Sequence, residues 1–212
     1  MAELRFRHRL ELSRYLAPRI QEVLTLAALA ISDLEGIAVS VGPGSFTGLR
    51  IGVTAAKALA FAGGLPVAGV GTLEALAWEH PAPPGALLCA VVSASPEQVF
   101  AALYQWGSEG PSVRAEETLL PAADLAAKLA QTPLEVVMVG QPGCHRETLA
   151  QSMGPRLAGP AEDAPPRAGT VAVLGRQRLL EGGGDSVHAL APRYLRLSTA
   201  ETRLREAACP PS

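Results

Sequence analysis

The chain has 212 residues, 48% of them hydrophobic and 18% charged, with a formal net charge of −2. Length and apolar content suit a substantial core in one domain or two small ones and exclude a disordered chain. The slightly negative balance excludes a protein that grips nucleic acid through a broad basic surface, so any contact with RNA is expected through a partner.

Leu4 to Arg7 alternates apolar and basic residues and reads as the end of a strand. A helix follows from His8 to Leu29, with Leu12, Leu16, Ile20, Val23 and Ala27 on one stripe and Pro18 expected to kink or restart it. Its charges, Glu11, Arg14, Arg19 and Glu22, are unlike a signal peptide. No uncharged apolar run reaches the roughly 18 residues that span a bilayer, so a cytoplasmic protein without membrane contact is expected.

Ser32 to Gly36 is a turn into Ile37–Val41, a short β-branched run that fits a buried strand. Gly42-Pro43-Gly44 then turns the chain, Ser45 offers an N-cap, and a helix runs to the Gly63-Gly64 stop. Backbone donors at that helix start suit an anion, with Gly42, Gly44, Ser45 and Thr47 as candidate contacts. The segment is neither a Walker loop nor a dinucleotide fingerprint, and a turn that simply places the helix is the competing reading. Gly48, Gly52, Ala56 and Ala60 fall four residues apart along the helix and leave one face almost bare. Each internal glycine costs up to about 1 kcal/mol relative to alanine, so close packing must offset it, against the chain's own sheet or a partner.

Pro66 to Val70 completes a βαβ unit, and Thr72 is expected to cap a helix through Trp78. Pro81 to Gly85 marks a domain boundary. Beyond it, Ala86–Val92 and Gln98–Tyr104 read as an antiparallel hairpin, Leu120-Pro121-Ala122 as the opening of a helix through Leu125 to Leu129 and Leu134–Val139 as a buried strand. Residues 154–169 read as surface connection, Thr170 to Leu180 as a helix and Pro192 to Arg196 as a short extended piece. Cys89, Cys144 and Cys209 form no metal or disulfide pattern, and Cys144-His145 is read as an inert neighbour pair. Asp33, Glu35 and Glu74 are read as solvated carboxylates. No catalytic or metal-ligating set emerges.

Gly42-Pro43-Gly44-Ser45-Phe46-Thr47-Gly48-Leu49-Arg50-Ile51-Gly52 resembles the signature segment of the TsaB family, and the likeness continues through Ala56 to Ala60, Leu65 to Val67 and Gly69 to Ala77. The first helix and Pro192 to Arg196 followed by Ala200-Glu201 also resemble that family. The resemblance implies an α/β protein of the actin-like ATPase (ASKHA, sugar-kinase type) fold with two related halves: residues 1–81 joined by 186–205, and residues 82–185. It implies a non-catalytic subunit that heterodimerises with TsaD, which modifies adenosine 37 of tRNA, in an assembly joined by the ATPase TsaE. ATP would be used by that complex, with no cofactor held by this chain. The implied partner interface comprises Leu12, Leu16 and Ile20 with Gly48, Gly52, Ala56 and Ala60. Family members begin with a strand carrying Asp-Thr-Ser or Asp-Thr-Ala, whereas this chain starts almost at the first helix. An N-terminally truncated form is therefore expected, with an open sheet edge or cavity. The alternatives are an ATP-dependent phosphotransferase or hydrolase of the same fold and a homodimeric binding protein.

Overall fold

The computed structural model describes residues 2–6, 11–159 and 164–195. The start of the expected first helix at His8, residues Arg196, Ala200 and Glu201, and Cys209 lie outside the described residues.

Two sheets organise the chain. The first pairs β1 (Ile37–Gly42) with β2 (Val67–Gly71) in parallel, Ile37 opposite Val67, the two joined by α2 (Phe46–Gly63). Val53, Ala56 and Ala60 of α2 are buried and face β1 and β2. The opposite sheet face is covered by α6 (Ala168–Leu180), through Val171, Leu174 and Gly175. A Cβ added at Gly175 would stand 2.3 Å from that of Ala38, so the approach of helix to strand requires glycine. The sequence reading placed this helix in the second half. Its buried stripe instead belongs to the first sheet, and Arg178 fixes it there by donating to the Glu74 carboxylate at 2.6 Å and to the Gly69 carbonyl. Glu74 is thus a paired carboxylate, not a solvated one.

α1 (Leu12–Leu26) lies outside α2, and Leu24 is its one buried residue. Pro18 sits inside the helix without ending it; the donor it lacks would have reached the carbonyl of Arg14, an exposed residue that water can serve. Residues 2–6 join no sheet, contrary to the strand expected there. A long-range clamp comes from the other end of the chain: Lys57 Nζ donates to the carbonyls of His188 (3.0 Å) and Leu190 (2.9 Å), and Leu190 is buried beside Val53 and Ala60.

The second sheet has the order β5-β4-β3-β6-β7. Its strands are β3 (Leu87–Ser93), β4 (Gln98–Gly107), β5 (Gly110–Pro121), β6 (Val136–Gln141) and β7 (Leu157–Ala158). The expected β3–β4 hairpin is antiparallel, and β3 also pairs with β6 in parallel. α4 (Ala122–Gln131) and α5 (Arg146–Met153) close one face. On the other, α3 (Thr72–Glu79) inserts Leu73 and Leu76, both fully buried, between the two sheets. The N-cap of α3 is Gly71, not Thr72, and Glu74 Oε2 accepts from the Gly71 amide at 3.4 Å. Among the described residues no helix is long and apolar enough to cross a membrane.

Candidate interaction site on the N-terminal helices

α2 presents three different environments. Ser45 caps it as its sequence suggests, Oγ accepting from the Gly48 amide at 3.3 Å. Gly64, at φ 59°, ends it in the left-handed conformation, its amide bonded back to Ala60 and Phe61. Between these caps the bare face turns inward. Ala60 is 1% exposed against Val41, Val67 and Leu190, and Ala56 is buried beside it. A Cβ on Gly52 would meet Val39 at 3.9 Å, while one on Gly48 would meet Ser45. The assignment of Gly48, Gly52, Ala56 and Ala60 to a partner interface is therefore corrected for Ala56 and Ala60. The small side chains let α2 lie close on its own sheet, and Gly52 borders β1. Gly48 faces the cleft at the helix start.

The opposite side of α2 is open. Between it and α1 runs a groove of about 630 Å³, walled by Leu16, Ala17 and Ile20 of α1 and by Ile51, Ala55 and Leu59 of α2. Leu12, Leu16 and Ile20, expected at an interface, are all half-buried; the last two line this groove and Leu12 lies one turn earlier. Its rim is polar, with Ser13, Gln21, Thr54 and Arg50. Ile31, which lines it, is a large apolar side chain left 41% exposed. A hydrophobic floor with a polar rim has the anatomy of a protein interface. Ile51, Ala55 and Leu59 were not singled out from the sequence. Their spacing, four residues apart, was the available signal.

A second hollow, of about 620 Å³, opens at the start of α2. Gly44, Ser45 and Gly48 meet Ser40, Thr72, Ser93 and Gln141 there, where the first sheet faces the second. Thr72 is buried and its hydroxyl lies 2.8 Å from that of Ser40. Among the described residues, no Lys, Arg, Asp or Glu lines this cleft. Of the other candidate anion contacts, Gly42 is buried at the strand end with φ 112°, and Thr47 is exposed outside the lining. Hydroxyls and a helix start are present, but among the described residues a phosphate placed here meets no cation.

The remaining titratable groups lie elsewhere. His145 is buried with Nε2 2.8 Å from the Ser95 carbonyl, so its ring is engaged away from the exposed Cys144. Burial pushes the Cys89 thiol up to about 12 and holds it protonated within the second sheet. Tyr104 is raised above its ordinary range, first by burial and then by the charge of Glu74. Among the described residues no group of three or more His, Cys, Asp or Glu side chains is placed to hold a metal ion.

Two α/β units, with a cleft between their sheets and a helix spanning the join, define an actin-like ATPase-type fold. The family model for TsaD, tRNA N6-adenosine threonylcarbamoyltransferase, matches residues 9–204. The tRNA threonylcarbamoyladenosine biosynthesis protein TsaB of Bacillus subtilis is 32% identical over 188 residues, 88% of this chain and 80% of that protein. Its Escherichia coli namesake is 31% identical over 202 residues, 92% of this chain and 84% of that protein. Among solved structures, YeaZ from Pseudomonas aeruginosa superimposes with a TM-score of 0.70 at 25% identity, covering 85% of this chain and 84% of that one. The chain belongs to the TsaB family.

Proposed function

We propose that this chain is a non-catalytic subunit in the formation of N6-threonylcarbamoyladenosine on tRNA, and that it docks a TsaD-type catalytic subunit through the α1–α2 groove. The observation that carries the reading is the groove: an apolar trough between two helices, with exposed Ile31 in its lining, on a chain whose cleft between the sheets carries no charged side chain among the described residues. The names of the Bacillus and Escherichia relatives supply the pathway. A net charge of −2 supports contact with tRNA through the complex and not through this chain alone. A TsaE-like ATPase joining the assembly and a cytoplasmic location complete the proposal.

Mixing the chain with the TsaD-type protein of the same genome and measuring mass by light scattering tests it. The expected result is a species with the summed mass of the two. Ala58→Asp, at an exposed position lining the groove, should weaken association tenfold or more while leaving the melting transition in place. Two proteins that stay separate at every concentration overturn the reading. Self-association through the same groove would appear as a dimer that the TsaD-type protein dissociates.

A further inference from the structure

The two helices that wall the α1–α2 groove are cationic on a chain of net charge −2: they carry Arg14, Arg19, Arg50 and Lys57 against the single carboxylate Glu22. Three of these cations have oxygen partners. Arg14 lies 3.7 Å from the Glu11 carboxylate, Arg19 pairs with Glu22, and Lys57 donates to the carbonyls of His188 and Leu190. Arg50 is different. It lines the groove, and among the described residues no oxygen accepts from it; its guanidinium carbon lies instead 5.3 Å from the centroid of the Phe46 ring. The other polar residues lining the groove, Ser13, Gln21 and Thr54, are neutral.

That perch holds the charge in place without using its donors. A π face attracts a guanidinium but accepts nothing in the guanidinium plane, so the fork of N–H groups stays unspent. Phe46 is itself fixed: its ring packs against Tyr194 with centroids 4.9 Å apart, and the neighbouring Arg193 amide donates to the Val41 carbonyl at 2.7 Å. Arg50 is thereby preordered, which lowers the entropic cost of engaging it. A partner that fills the groove takes this charge out of water. Covered there without an anion, the guanidinium opposes association.

We infer that Arg50 is the specificity-determining residue of the groove, donating its paired N–H groups to a carboxylate on the surface that the catalytic subunit lays there. The inference rests on the docking reading above and names the chemistry of the face that docks: apolar, with one acidic side chain opposite Arg50. It also ranks that partner above a second copy of this chain. In such a copy α2 has no carboxylate, and Glu22 of α1 is already held by Arg19. Two copies meeting through the groove bury an arginine on each side with no free carboxylate from these helices.

Titration calorimetry of the full chain with the TsaD-type protein of the same genome tests this. Arg50→Met keeps the length and apolar stem of the side chain and should weaken association tenfold or more, with the melting transition unchanged because Arg50 is exposed. Any self-association should be no weaker in Arg50→Met than in the wild type. Arg50→Glu should bind the partner more weakly still and be restored by exchanging one partner carboxylate for lysine. Raising salt from roughly 50 to 500 mM should weaken the wild-type complex more steeply than that of Arg50→Met. Binding of Arg50→Met within twofold of the wild type, while Ala58→Asp abolishes it, overturns the inference and leaves docking at the groove in place. Failure of every carboxylate exchange to restore Arg50→Glu overturns it as well. If Ala58→Asp has no effect, docking at the groove falls and the inference falls with it.

Discussion

The two sides of α2 differ in what they ask of their side chains. On the closed side, Val53, Ala56 and Ala60 are buried against β1 and β2, and the lack of bulk lets helix and sheet approach. On the open side, Ile51, Ala55 and Leu59 are half-buried along a groove that α1 only partly roofs. Small residues at four-residue spacing thus record packing inside the chain, while half-exposed branched residues beside them record the surface left for something else. A bare helix face is a mark of close approach, and it does not say to what.

The largest expected effect tests the closed side. Ala60→Leu adds three carbons where 1% of the residue is exposed, and should cost about 2–3 kcal/mol in denaturant unfolding. Ala58→Leu, two residues away and exposed, should change stability by no more than about 0.5 kcal/mol. Equal tolerance at the two positions would break the distinction between the sides. A loss at Ala60 with unchanged binding of a TsaD-type protein per folded molecule would sharpen it.

Much of the first half was legible because its signals are local. The βαβ unit, the Ser45 cap and the Gly63-Gly64 stop each rest on a few adjacent residues, and each stands where the sequence puts it. What was misread depends on distant partners. Glu74 looked solvated because Arg178, which pairs with it, lies 104 residues on. α6 was assigned to the wrong half because its position is decided by contact of Gly175 with Ala38, which periodicity does not encode. β5 went unread because Ser112 to Glu116 is exposed, so the strand lacks the apolar alternation that marks a buried one. Of the residues lining the α1–α2 groove, Leu16 and Ile20 lie on the α1 stripe, whereas the small residues singled out on α2 lie on its inward face; choosing between two faces of an almost wholly apolar helix requires knowing where its sheet lies.

The smallest expected effect separates the start of α2 from both of its sides. Ser45→Ala removes the acceptor for the Gly48 amide and should cost about 1 kcal/mol, as loss of an N-cap does. Thr47→Ala, exposed and outside the cleft, should cost at most about 0.5 kcal/mol. The informative measurement adds phosphate. An anion bound at this helix start would stabilise the native chain in proportion to its occupancy, and part of that gain would vanish with the Ser45 hydroxyl. Because Ser40, Thr72, Ser93 and Gln141 surround the site with no cation among the described residues, phosphate should shift the melting of wild type and Ser45→Ala by the same amount. A larger shift for the wild type would restore the helix start as a binding site and make α2 a helix with two functional surfaces. Equal shifts leave Ser45 as the residue that sets where the helix begins, and through that register, which residues face the groove.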